Sequence, residues 1–151
     1  MRLRRGCRGW WIALLAVLTD RLTKRLAMAA GGGALIPGIV NLRSVENRGM
    51  AFSMLSGQGA LLSILTAALI AGLVGWLIAH PDAQALLRAG LWLIAGGGLG
   101  NLYDRLTTGG VPDFIELAFV RFAVFNVADI CICLGAALAV VGGWLAERNE
   151  V

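Results

Sequence analysis

The chain has 151 residues, of which 58% are hydrophobic and 15% charged, with a formal net charge of +4. Its mean hydropathy is +0.78, whereas an ordinary soluble domain carries about 25% charged residues. These values exclude a disordered chain and a free-standing water-soluble enzyme; they fit one integral membrane domain over residues 1–151. Glycine, at 21 residues, is about twice as frequent as usual, as in membrane helices whose backbones approach closely.

In chain order, Arg2, Arg4, Arg5 and Arg8 precede an apolar run from Trp10 to Leu18. That pattern predicts a first membrane helix over about 8–28, starting in the cytoplasm. Ala27-Met28-Ala29 resembles a signal-peptide cleavage site, but the polar patch Asp20 to Arg25 separates it from the apolar run. Residues 31–56 are too polar and glycine-rich to span. Their β-prone pieces, Gly38–Leu42 and Met50–Ser53, are divided by Glu46-Asn47-Arg48-Gly49 and predict a small sheet on the outer membrane surface. Gly59 to Ala79 is free of charge and predicts a second span over about 58–79. A third, about 85–106, contains Arg88 near one end, where it can snorkel. Thr108-Gly109-Gly110 marks a turn. The outer segment 107–124 then mixes apolar residues with Glu116 and Arg121 from Phe114 to Phe122, which predicts a short interfacial helix. A fourth span covers about 124–146 and carries Asp129. The expected fold is an all-α integral membrane protein: four transmembrane helices, a small outward-facing β cradle and a short interfacial helix. An even number of spans puts both termini in the cytoplasm.

The basic residues are scattered among apolar spans, so no nucleic-acid partner is expected. His80 is the one histidine, which excludes a His-rich zinc site. Cys131 and Cys133 are two residues apart and point to different sides of a helix, and Cys7 stands among arginines. No metal and no cofactor are expected. Of nine acidic residues, Asp82, Glu147 and Glu150 fall on the cytoplasmic side, and Glu46 and Glu116 in outer segments. Asp20, Asp104, Asp113 and Asp129 remain, gathered at the outer ends of the helices.

Asp20 and Lys24 share a helical face at i, i+4, and so do Asn101 with Asp104 and Asn126 with Asp129 at i, i+3. Asp113 lies in the connection between the last two pairs, and Arg105 stands beside Asp104. Carboxylates in or near a bilayer are costly and mark functional sites. Two of them sharing one proton make an acid–base pair that activates water for peptide hydrolysis. Spacing alone favours Asp104 with Asp129, and a membrane Asp equally suits a proton-coupled carrier. Gly96 and Gly100 have the spacing of a helix-packing face, which also suits a noncatalytic assembly subunit.

Five blocks, in order, resemble the bacterial lipoprotein signal peptidase (signal peptidase II) family. They are Asp20-Arg21-Leu22-Thr23-Lys24; Asn47-Arg48-Gly49-Met50-Ala51-Phe52-Ser53; Gly97-Gly98-Leu99-Gly100-Asn101-Leu102-Tyr103-Asp104-Arg105; Val111-Pro112-Asp113-Phe114-Ile115; and Phe125-Asn126-Val127-Ala128-Asp129. The resemblance implies an aspartic endopeptidase of the cytoplasmic (inner) membrane with its active site near the outer face. It would cleave diacylglyceryl-modified prolipoproteins just before the lipidated Cys, acting as a monomer in the phospholipid bilayer. The catalytic pair it implies is Asp113 and Asp129, with Asp104 as support. Asn47 and Arg105 match residues that hold the substrate backbone, and Asn101, Asn126, Asp20 and Lys24 match polar site support, with Gly49 and Ala128 in the same blocks. The chain departs from the family pattern at Pro112 before Asp113, at Met50, at Ile130 after Asp129, and in a slightly short 113–129 segment.

Overall fold

The structure is a computed structural model that describes residues 8–49 and 57–148. The expected strand piece Met50–Ser53, Cys7, Arg2, Arg4 and Arg5 lie outside the described residues. Four long helices form: α1 (Trp10–Ala30), α2 (Gly59–Ala79), α3 (Ala85–Thr108) and α4 (Val127–Arg148). Three strands accompany them: β1 (Gly33–Ile36), β2 (Val40–Asn47) and β3 (Val111–Leu117).

Local chemistry sets the helix ends. Glycines at positive φ close α1 and α3: Gly31 at 71° and Gly109 at 81°. Glycine adopts this left-handed conformation without the penalty a Cβ brings. At the start of α3 the Gln84 side chain accepts from the amides of Leu86 and Leu87 at 2.6 and 2.9 Å, pairing donors that the first helical turn leaves open. Arg88 reaches back from α3 to the carbonyls of Pro81 and Ala83 at 2.5 and 2.7 Å, so its charge sits at the turn and not along the span.

Among the described residues, α2, α3 and α4 are long and apolar enough to cross a membrane. The first expected span is also helical, as α1, but Asp20, Arg21, Lys24 and Arg25 lie within its 21 residues. Burial runs opposite to that of a soluble protein. Lys24, Asp20, Asp104 and Asn126 are among the most completely buried side chains, while Val140 on α4 is 73% exposed and Leu106 on α3 70%. α3 is the central helix and packs against the other three. A small apolar core of Ala13, Ile70, Leu77, Trp92 and Ala95 joins α1, α2 and α3.

Close contact depends on glycine. A Cβ on Gly90 of α3 would fall 2.5 Å from the Gly135 carbonyl oxygen of α4. One on Gly97 would fall 2.5 Å from the Ala128 oxygen, and one on Gly96 2.7 Å from Ala13 Cα of α1. Backbones that meet this closely gain van der Waals contact, which drives helix association where lipid is as apolar as the side chains.

The sheet corrects the sequence expectation. Residues 114–122 do not form an interfacial helix; β3 is a strand. The order is β1-β2-β3, antiparallel throughout. β3 pairs Val111 with Asn47 and Leu117 with Val40, with an irregularity between Leu42 and Val45. The physical reason is the free edge of β2, whose backbone groups need partners. Pro112, opposite Glu46, is tolerated because β3 lies at the end of the sheet order, where a missing N–H is least costly. After β3 the chain folds back: the Phe125 oxygen accepts from the amides of Phe114 and Ile115 at 3.0 and 2.8 Å, and the Phe125 amide donates to the Ile115 oxygen at 3.1 Å. This return places the start of α4 beside Asp113.

Candidate active site

The polar side chains of α1, α3, the sheet and the start of α4 meet in one connected network. Its base is a buried ion cluster. The Lys24 ammonium, 1% exposed, donates to Asp20 Oδ2 at 2.8 Å, Asp104 Oδ2 at 2.7 Å and Asn101 Oδ1 at 3.1 Å. Arg21 pairs with the other oxygen of Asp104 and lies 4.7 Å above the Tyr103 ring centroid. The second oxygen of Asp20 accepts from the Ala128 amide at 3.0 Å, tying α1 to α4. A Cβ on Gly100 would fall 2.7 Å from Asp20 Oδ2, so a larger residue there would displace the carboxylate.

Asp104 is thus neutralised by Lys24 and Arg21, not by Arg105. One residue farther along the helix is a turn of about 100°, so Arg105 points elsewhere. Its guanidinium donates to the Gly49 oxygen at 2.9 Å, and its buried Nε has no hydrogen-bond partner among the described residues. Arg21 is absent from the sequence-derived set, although it precedes Lys24 by three residues and so shares its face.

Asn126 and Asp129 form a reciprocal cap at the start of α4. Asn126 Oδ1 accepts from the Asp129 amide at 3.0 Å, and Asp129 Oδ2 accepts from the Asn126 amide at 3.1 Å. This capping box gives the i, i+3 spacing a local structural cause. The side chains also reach outward. Asn101 Nδ2 donates to Asp129 Oδ1 at 2.8 Å, and Asn126 Nδ2 donates to Asp113 Oδ1 at 2.6 Å and Asn101 Oδ1 at 3.2 Å. Asn126 therefore touches both Asp113 and Asp129.

Asp113 is 3% exposed, on the face of β3 that also carries Val111. Asn47 Nδ2 donates to its other oxygen at 2.9 Å, and Asn47 Oδ1 accepts from the Gly49 amide at 2.9 Å. Burial pushes the Asp113 carboxyl up to about 6, against the donors Asn47 and Asn126, and the charge of Asp129 adds to the rise. A cavity of about 360 Å³ opens against Asp113, walled by Val45 and Asn47 on one side and residues 121–124 on the other. Asp129 is half-buried. Asp113, Asp129, Asn47, Asn101, Asn126, Asp20, Lys24, Asp104, Ala128 and Gly49 are joined by hydrogen bonds, and Arg105 joins through Gly49.

Fold and site together describe a helical membrane protein with a carboxylate centre at one end. The chain belongs to the signal peptidase II family: a family model described as Signal peptidase (SPase) II matches residues 12–145. The lipoprotein signal peptidase of Thermosynechococcus vestitus is 36% identical over 142 residues, covering 89% of this chain and 90% of that one. That of Gloeobacter violaceus is 38% identical over 144 residues, covering 93% and 83%. A solved structure described as a bacterial membrane enzyme matches with a TM-score of 0.84 at 30% identity, over 93% of this chain and 90% of the other. Membership implies a membrane protease of lipoprotein processing.

Proposed function

We propose that the chain is an aspartic endopeptidase that removes signal peptides from diacylglyceryl-modified prolipoproteins, cutting just before the lipidated Cys, with Asp113 and Asp129 as the catalytic pair. The observation that carries this reading is the Asp113 carboxyl: buried, raised to about 6, and joined to Asp129 through Asn126. A carboxyl poised near neutrality beside an ionised one is what shared-proton hydrolysis needs. The ionised aspartate takes a proton from water as the water oxygen attacks the scissile carbonyl. The protonated aspartate donates to the carbonyl oxygen. When the tetrahedral intermediate collapses, the C–N bond breaks and a proton passes to the departing Cys amine.

Asp104 serves as support, because both its oxygens are held by cations. Arg105 and Asn47 hold the substrate backbone; Gly49, Asn101, Asn126, Ala128, Asp20 and Lys24 keep the pair in place. In this reading residues 1–151 form a single monomeric domain of four spans in the cytoplasmic membrane, with both termini inside and the site near the outer face. The test is a gel-shift assay with lipidated prolipoprotein. Asp113→Asn and Asp129→Asn are each expected to abolish cleavage while leaving membrane insertion intact. Full activity in both variants would refute the pair.

A further inference from the structure

The three contacts of Lys24 use all three N–H donors of its ammonium. The side chain is 1% exposed, so nothing is left over for a substrate. An ammonium has no acceptor, which settles a question of direction. The atom of Asn101 that faces Lys24 must be the oxygen, and Nδ2 must then face Asp129 Oδ1, 2.8 Å away. The same oxygen accepts from Asn126 Nδ2 at 3.2 Å. That amide group also serves Asp113 Oδ1, and Asn126 Oδ1 is left to accept from the Asp129 amide. Rotating the Asn101 amide by half a turn would set an NH2 against the ammonium and against the Asn126 NH2, and an oxygen against a carboxylate. All three contacts of the Asn101 side chain would then become repulsive.

We propose that Lys24 is a positioning residue for the reaction: it fixes the direction of the Asn101 amide, and through it that of Asn126, so that donors face both Asp113 and Asp129. This rests on the catalytic-pair reading given above. The charges around Lys24 are Asp20 on α1 and Asp104 on α3, the latter also paired with Arg21. Two carboxylates and two cations balance one another; the direct charge of Lys24 is the smallest of the influences on Asp113, and the larger influence we assign to it travels through hydrogen-bond direction, with Asn101 as the link.

A double-mutant cycle tests this on the purified full chain in detergent with lipidated prolipoprotein. Asp20→Asn accompanies each Lys24 replacement, the two counting as one step of the cycle, so that the buried charges stay balanced in every arm. Lys24→Met is expected to lower kcat by about 10- to 100-fold, a common size for a residue that orients a functional group, with KM unchanged. Asn101→Ala is expected to do the same, and the double variant to be no slower than Asn101→Ala alone. Losses that multiply in the double variant, or a change confined to KM, would overturn the proposal. If Lys24→Met does not fold, as read by thermal unfolding, Lys24→Gln takes its place; Gln offers either an oxygen or an amide to Asn101 and so loses the direction while keeping a polar contact. Asp113→Asn and Asp129→Asn are assayed alongside. Activity in both sinks the pair itself, whereas inactive Asp variants with multiplying losses sink only the role of Lys24.

Discussion

Asp113 gathers opposing influences at a single carboxyl. Burial raises it, Asn47 and Asn126 lower it, and the net position is about 6. Removing a donor to the ionised form must raise it further. Asn47→Ala is therefore expected to move the alkaline limb of the kcat/KM profile to higher pH, and an unmoved limb would show that Asn47 does not act on the titrating group. The same carboxyl has a consequence for stability. Its folded value lies above the ordinary 3.8, so the folded state holds the proton more tightly. The stabilisation is fully present below about pH 4 and is lost as pH rises through about 6, by roughly 2–3 kcal/mol in total. Thermal unfolding in detergent between pH 4 and pH 7 should show this decline, and Asp113→Asn should flatten it. An equally steep decline in that variant would assign the effect to another group.

At the scale of elements, the helix interfaces rest on glycines whose neighbours are backbone atoms. Gly90→Ala and Gly97→Ala each place a Cβ 2.5 Å from a carbonyl oxygen of α4. The helices must separate, which costs about 1–3 kcal/mol. Gly75→Ala, with nothing within 4 Å, is the matched control and should leave the unfolding temperature unchanged or slightly raised. Equal effects at Gly75 and Gly97 would contradict the packing account. The same elements show what a sequence carries. The second and third helices match their expected ranges to within a residue or two, because a long run that is apolar over most of its length has few alternatives. The strand at 111–117 is not legible there. Phe114-Ile115-Glu116-Leu117 fits either periodicity over so short a run, and the choice is made by the open edge of β2 far earlier in the chain. Asn126 and Asp129 stand out by spacing, but their mutual cap and the contact from Asn101 depend on how α3 meets α4. Choosing Asp113 over Asp104 as a partner for Asp129 came from resemblance to a family. Both oxygens of Asp104 are held by cations, Lys24 and Arg21.

At the scale of the molecule, charge lies inside and hydrocarbon outside. α1 is the demanding case, since Asp20, Arg21, Lys24 and Arg25 make it too polar to cross a membrane by composition alone. Composition, however, ignores pairing. Asp20 and Lys24 are almost wholly buried and bonded to each other, and Arg21 is spent on Asp104. The face turned outward carries Leu14, Leu15, Leu18, Leu22 and Leu26, all at least 44% exposed. Once the bundle has formed, lipid meets leucine and the charges meet one another, which removes most of the insertion penalty expected for isolated charges. α1 is thus expected to span together with α2, α3 and α4, leaving the sheet on one side of the membrane and the end of α4 on the other. Single cysteines report this directly in a background where Cys7, Cys131 and Cys133 are replaced by Ala. Arg43→Cys, exposed on β2, should react with a membrane-impermeant maleimide added to intact spheroplasts. Arg8→Cys, exposed just before α1, should react only after the membrane is opened. Labelling of both from the same side would mean that α1 does not cross, and that the charges of the site are kept out of the bilayer instead of being paired within it.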